Sequence, residues 1–252
     1  MAEDLILLSN DDGIHSEGLA ALAGALEDLG EIYVVGPDRE RSAASHSLTL
    51  HRPLRVSELG TRRYAVDGTP TDCVNLAING ILPRRPRLVM AGINKGANLG
   101  EDITYSGTVS AAMEGTLLGV PSVAVSQVGR ENFQFATAAA FARALAVHVL
   151  ANRLPRDTLL NVNVPNRPAG SVTQFVLTRQ GRRRYGNAIV EKSDPRGRKY
   201  YWIGSDEFEF EEEAGTDFAA VAAGLISITP IHLDLTNHGS FGELAGLALA
   251  WP

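Results

Sequence analysis

Cysteine is all but absent from this 252-residue chain: Cys73 stands alone. A single cysteine forms no intrachain disulfide and builds no cysteine-based zinc cluster. Lysine is nearly as scarce, at Lys95, Lys192 and Lys199 only, so arginine supplies most of the 23 basic side chains. Against 29 acidic residues these leave a formal net charge of −6. The basic excess of a general nucleic-acid binder is missing. The opening "MAEDLILLSNDDG" lacks a basic leader, and its apolar run is short for a signal peptide. No run reads as long enough to cross a bilayer, so a cytoplasmic protein without membrane association is expected.

Three fingerprints are missing as well. There is no G-x-x-x-x-G-K-[ST] phosphate loop and no G-x-G-x-x-G after the first strand. There is no G-x-S-x-G nucleophile elbow. A nicotinamide-type oxidoreductase and a serine hydrolase therefore have little support. His46 stands between Ser45 and Ser47, but neighbours along an extended chain point to opposite sides.

What is present is an alternation of short apolar runs with helical patterns. "LILLS" (5–9), "EIYVVG" (31–36), "RLVMAG" (87–92), "PSVAVS" (121–126) and "TLLNVNVP" (158–165) read as strands. Helices are predicted over 16–30, 69–80, 106–119 and 133–152, with Ser16 and Thr69 as N-caps and Pro70 at a first helical position. A hairpin is expected between, with "SLTLHRPLRV" (47–56) and "RRYAVDG" (62–68) as arms. The order implies a Rossmann-like, doubly wound α/β fold around a mostly parallel sheet covered on both faces. After residue 170 the pattern changes to strand-like pieces at 173–180, 199–204 and 225–231, set among charged segments. The expected organisation is a catalytic core over 1–170. A C-terminal region over 171–252 would hold a protruding hairpin arm and a tail, part of it rejoining the core sheet.

Ligands of open parallel sheets bind beyond the carboxyl ends of the strands. That rule selects "NDDG" (10–13), "GPDRERSAASHS" (36–47), "AGINKGANLGEDITYSGT" (91–108) and "SQVGRENF" (126–133). Asp11 and Asp12 are adjacent carboxylates, which repel unless a cation lies near. Ser42 and Asn94 offer further hard oxygens, a set suited to Mg²⁺ or Mn²⁺. The alternative is that Asp12 caps a turn and Asp11 is solvated. Ser106, Gly107 and Thr108 open a helix whose free N–H groups and dipole favour an anion, although Ser and Thr are also ordinary caps.

Together these blocks resemble the SurE family, the stationary-phase survival protein E nucleotidases. The likeness runs through "LSNDDGIHSEGL", "GPDRERSAASHSLTL", "DGTPTDCVNLA" and "AGINKGANLGEDITYSGTVSAAMEG", then "LNVNVP", "TRQGRRRY" and "ISITPIHLDLTN", in family order. The resemblance implies a divalent-metal-dependent phosphatase acting on nucleoside 5′- and 3′-monophosphates. It assigns one metal ion per subunit, Mg²⁺ or Mn²⁺, to Asp11, Asp12, Ser42 and Asn94. It assigns phosphate binding to Asn98, Ser106, Gly107 and Thr108, with Asp11, Asp12 and Asn98 catalytic. It also implies a homodimer or homotetramer that exchanges C-terminal segments, through the arm at about 178–210 and the tail after 230. His46 is a candidate proton donor or a structural histidine. The run Arg182, Arg183, Arg184 is a candidate contact for a longer anion, such as polyphosphate as a side substrate, or a subunit contact. A nucleotide-binding regulator without catalysis is the alternative function.

Overall fold

The computed structural model describes residues 3–168, 170–184, 189–203, 209–211 and 213–247. The strands are β1 (Leu5–Ser9), β2 (Glu31–Pro37), β3 (Val56–Gly60), β4 (Arg63–Val66), β5 (Leu88–Lys95), β6 (Ser122–Val128) and β7 (Thr158–Pro165). They continue with β8 (Phe175–Leu177), β9 (Arg183–Arg184), β10 (Ile189–Ser193), β11 (Lys199–Ile203), β12 (Glu209–Phe210) and β13 (Ile226–His232). Five helices matter here: α1 (Glu17–Leu26), α2 (Pro70–Leu76), α3 (Gly107–Leu117), α4 (Phe135–Asn152) and α5 (Asp217–Ala222).

Nine strands form one sheet in the order β3-β4-β2-β1-β5-β6-β7-β13-β8. The run β4-β2-β1-β5-β6-β7 is parallel throughout. Strand β3 is antiparallel to β4, and β13 is antiparallel to β7. The inner strands β1 and β5 are apolar and buried along most of their length, as strands covered on both faces must be. One face packs Ile6, Leu8, Met90 and Val125 against Leu19, Leu22 and Ala142 of α1 and α4. The other packs Leu7, Val89, Ala91 and Ala124 against Val74 and Val109 of α2 and α3. The Rossmann-like expectation therefore holds.

Helix starts follow their local chemistry. The Ser16 hydroxyl accepts from Leu19 N–H, and Thr69 and Asp72 form a reciprocal capping box with Pro70 at the first position. Ser106 caps α3 by accepting from Val109 N–H.

Three sequence expectations need correction. The hairpin's first arm is Val56–Gly60, not 47–56. The residues before it are held by side chains instead of a strand ladder: Thr49 donates through N–H and Oγ1 to Asp72, and Arg52 pairs with Asp67. Second, Asn94 lies within β5 and not beyond it. Third, α4 is long and apolar enough to cross a bilayer by length and composition, with mean hydropathy 1.3 over 18 residues. Its Ala138, Ala139, Ala142 and Ala146 side is nevertheless buried in the core.

The C-terminal segment divides. Strands β13 and β8 join the core sheet. Strands β10 and β11 form a separate antiparallel hairpin, which exposes Ile189, Tyr201 and Trp202. Much of the acidic stretch 206–213, the Arg184 side chain and the final residues 248–252 lie outside the described residues.

Candidate active site

The chain reverses its sheet order around β1: α1 leads outward to β2, while β5 lies on the other flank of β1. At such a switch point the loops beyond the strands part and leave a crevice. Asp11 and Asp12 follow β1, and Asn94 stands near the end of β5, on opposite sides of that crevice. A β-bulge between Gly92 and Asn94 shifts the β5 register where the strand reaches the site. Gly92 is suited to it, with φ +129° and no room for a Cβ, which would meet Val125 O at 2.2 Å.

A cavity of about 510 Å³ opens there, lined by Asp11, Asp12, Ser42, Asn94, Asn98 and Ser106 among others. Six of the eight residues singled out in the sequence thus meet in one space. Gly107 and Thr108 sit behind it. Thr108 donates its N–H to Asp11 Oδ2 at 3.1 Å and its hydroxyl to Asp11 Oδ1 at 2.5 Å. The start of α3 thus receives a carboxylate of the protein itself. Gly107 is needed for that contact, since a Cβ would meet Asp11 Cβ at 2.7 Å.

Burial pushes the Asp11 carboxyl above its usual range, against the opposing pull of the Thr108 bonds. Asp12 is pushed up to about 6, by burial first and then by the charges of Asp11 and Glu40; the Lys95 N–H, donated to Asp12 Oδ2 at 3.0 Å, partly offsets this. Glu40 also lines the cavity and accepts from the Ser42 hydroxyl at 2.7 Å. Asn94 donates Nδ2 to Gly96 O at 3.0 Å, which leaves Oδ1 as its ligand atom.

This donor set fits a hard divalent cation: two strained carboxylates with a neutral amide oxygen and a hydroxyl beside them. Among the described residues no group of three or more His, Cys, Asp or Glu side chains is arranged to hold a metal. Cys73 is buried and its thiol pushed well up by that burial, so it is no nucleophile.

His46 is turned elsewhere. Its Nε2 lies 2.8 Å from Oε2 of the buried Glu114, whose other oxygen accepts from Asn75, and it does not line the cavity. Arg183 ties Asp102 at 2.8 Å through Nη1, and its N–H donates to Glu101.

Sequence reasoning missed the support beneath Asn98. Asn161 and Asn163 alternate along β7, so both point to one face. Both donate Nδ2 to Asn98 O, at 2.8 and 2.9 Å, and Asn163 Oδ1 accepts from Asn98 N–H at 2.8 Å. The signal was there in "LNVNVP": two polar residues on the same face of a strand whose burial demands partners. Asp217 was missed as well: it accepts from Gly100 N–H and Gly181 N–H, both at 2.8 Å, and nothing in its sequence neighbourhood marks it as a tie to residues 117 and 36 positions away.

A model of the family described as Survival protein SurE matches residues 6–187. The 5′-nucleotidase SurE of Syntrophotalea carbinolica is 59% identical over 252 residues, covering 98% of both chains. That of Geobacter sulfurreducens is 57% identical over 240 residues, covering 95% of this chain and 92% of that protein. The crystal structure of the SurE protein from Aquifex aeolicus aligns with TM-score 0.87 at 48% identity, over 95% of this chain and 98% of its own. With this coverage of the fold and of every segment that builds the cavity, the chain belongs to the SurE family.

Proposed function

We infer that the chain is a 5′-nucleotidase, hydrolysing nucleoside monophosphates to nucleoside and phosphate. The carrying observation is the cavity that joins Asp11, Asp12, Ser42 and Asn94 to Asn98 and Ser106. Near full-length relatives with that activity in their names support it. The same reading extends to 3′-monophosphates and to a cytoplasmic homodimer or homotetramer that exchanges C-terminal segments.

Asp11, Asp12, Ser42 and Asn94 would hold one divalent cation, Mg²⁺ or Mn²⁺. When bound, such a cation supplies Lewis-acid polarisation of a phosphate oxygen and neutralises charge. The remaining work falls to the chain. Ser106 Oγ already accepts from Val109 N–H, so its own proton is free to be donated to phosphate. Asn98 shares its amide with Ser126 Oγ at 2.8 Å. Asn98 Nδ2 is the donor in that bond, and its second hydrogen is left for the anion. Gly107 and Thr108 contribute through Asp11, holding its carboxylate in one orientation while the positive end of α3 lies behind the phosphate. Water adds to phosphorus, the bond from phosphorus to the nucleoside oxygen breaks, a proton given up by the water ends on that oxygen, and these donors stabilise the charge of the transition state.

The test is phosphate release from AMP by protein stripped with EDTA, before and after Mn²⁺ or Mg²⁺ is restored. Release that returns only with metal supports the reading. Undiminished release from protein shown to be metal-free contradicts it, and AMP binding without release under any metal favours the non-catalytic regulator.

A further inference from the structure

Ser42 lines the cavity from a segment that has no ladder to hold it: residues 38–55 run as loop, turn and bend. Two residues beside Ser42 take left-handed backbone without being glycine, Ala43 at φ +55° and Ser45 at φ +54°. Such conformations cost energy and persist only where the surroundings impose them. Restraints stand on either side. Before Ser42, Arg41 N–H donates to Asp11 O at 2.7 Å. After it, Ser45 donates its N–H to Tyr105 O at 3.1 Å and its hydroxyl to Thr104 O at 2.8 Å, just ahead of Ser106.

The next residue closes a clasp. His46 Nε2 lies 2.8 Å from Glu114 Oε2, and Asn75 of α2 donates to Glu114 Oε1 at 2.6 Å. An ionised carboxyl only accepts, so the histidine is the donor. Glu114 is 5% exposed and stands about two turns along α3 from its start. A buried carboxylate with both oxygens engaged is a fixed anchor. It belongs to the helix whose first turn holds Asp11 through Thr108. The turn that carries Ser42 and the Asp11 carboxylate are thus both referred to α3. Within that turn the Ser42 hydroxyl gives its proton to Glu40, which leaves its oxygen lone pairs for a cation.

We propose that His46 and Glu114 are positioning residues of this site, whose bond holds the strained turn at 42–45 and so keeps the Ser42 oxygen in the cavity with Asp11 and Asp12. The inference rests on the reading that these residues hold the cation, and adds what keeps one of them in place. Groups that orient a metal ligand commonly carry about 10- to 100-fold in metal affinity.

The test compares wild type with His46→Ala, His46→Gln and Ser42→Ala, by Mn²⁺ calorimetry without nucleotide and by steady-state kinetics on AMP. The glutamine amide nitrogen stands as many bonds from the backbone as histidine Nε2, so it can remake the bond to Glu114. His46→Ala should weaken Mn²⁺ binding about tenfold and raise the Mn²⁺ needed for half-maximal rate by a similar factor. KM for AMP at saturating Mn²⁺ should stay unchanged, and His46→Gln should recover most of the loss. The double variant should match Ser42→Ala alone, because His46 acts through Ser42. Unchanged Mn²⁺ affinity in His46→Ala overturns the proposal, as does a loss that glutamine does not recover or full additivity in the double variant. Should wild type bind no Mn²⁺, the cation reading fails, and hydrogen exchange of the metal-free protein decides the clasp. Faster exchange at residues 41–46 in His46→Ala then supports it, and equal rates overturn it.

Discussion

Thr108 occupies a position that its residue type alone does not reveal. As a hydroxyl at a helix start it reads as a phosphate ligand, yet both of its donors meet Asp11. Thr108→Val leaves a buried carboxylate oxygen without its partner and frees the carboxylate to turn. Steady-state kinetics should show kcat on AMP lowered by about 10- to 100-fold, the usual range for a residue that orients a ligand, with much of it recovered in Thr108→Ser. Equal activity in the valine variant would remove Thr108 from the site. The adjacent pair makes a second residue-level prediction. A divalent cation that binds only the folded state raises the melting temperature with concentration. Mn²⁺ should therefore raise it in wild type and not in Asp12→Asn; an equal rise in both would place the cation elsewhere. That Asp11, Asp12, Ser42 and Asn94 share one cavity was legible in the sequence because each follows or closes an apolar strand. Glu40 was not, because nothing local distinguishes it from the charged loop around it.

At the scale of elements, the site stands on loops that buried polar groups hold down. Asn163 fixes both the N–H and the carbonyl of Asn98 from a core strand. Asn163→Leu removes both bonds and strands the Asn98 N–H, so urea unfolding should show a loss of about 1–3 kcal/mol, with KM for AMP raised. No change in either would make the β7 asparagines incidental. The clasp between the loop at His46 and α3 predicts a pH dependence. Burial raises the Glu114 carboxyl, but bonds from His46 and Asn75 outweigh it and hold it below its ordinary value. A carboxyl depressed in the folded state adds stability above its unfolded pKa, which is lost as pH falls through the folded one. Wild type should therefore exceed Glu114→Gln in denaturant midpoint at pH 7, and the gap should close below about pH 4. A gap independent of pH would mean the glutamate acts by shape alone. The strands and helices of the core were legible because periodicity and caps agree there. The first hairpin arm was misplaced because "SLTLHRPLRV" alternates like a strand while Thr49 and Arg52 find side-chain partners in Asp72 and Asp67.

For the whole molecule, the core sheet positions everything the chemistry needs, and the arm leaves its apolar side chains outside. Ile189, Tyr201 and Trp202 on the hairpin, with Leu235, Phe241 and Leu244 in the tail, are mostly exposed. Apolar surface of this extent is covered in most proteins by association. Light scattering should accordingly give a mass at least twice that of one chain, and removing the arm's hairpin should lower it; a monomer at micromolar concentration would contradict the exchange. That a hairpin separate from the core sheet follows the core strands was legible in composition. The return of β13 between β7 and β8 was only allowed for, because a single short strand carries no mark of its neighbours.

The central claim is that adjacent carboxylates at the first strand end, with Asn94 and Ser42, hold the cation that a phosphate beside Ser106 requires. The most direct measurement is phosphate release from AMP across a Mn²⁺ titration, for wild type and Asp12→Asn in parallel. The account predicts saturable activation of wild type and, in a variant that keeps its circular dichroism, a rate lower by about two orders of magnitude at every metal concentration. Metal-independent hydrolysis by wild type, or an Asp12→Asn rate near that of wild type, would contradict it.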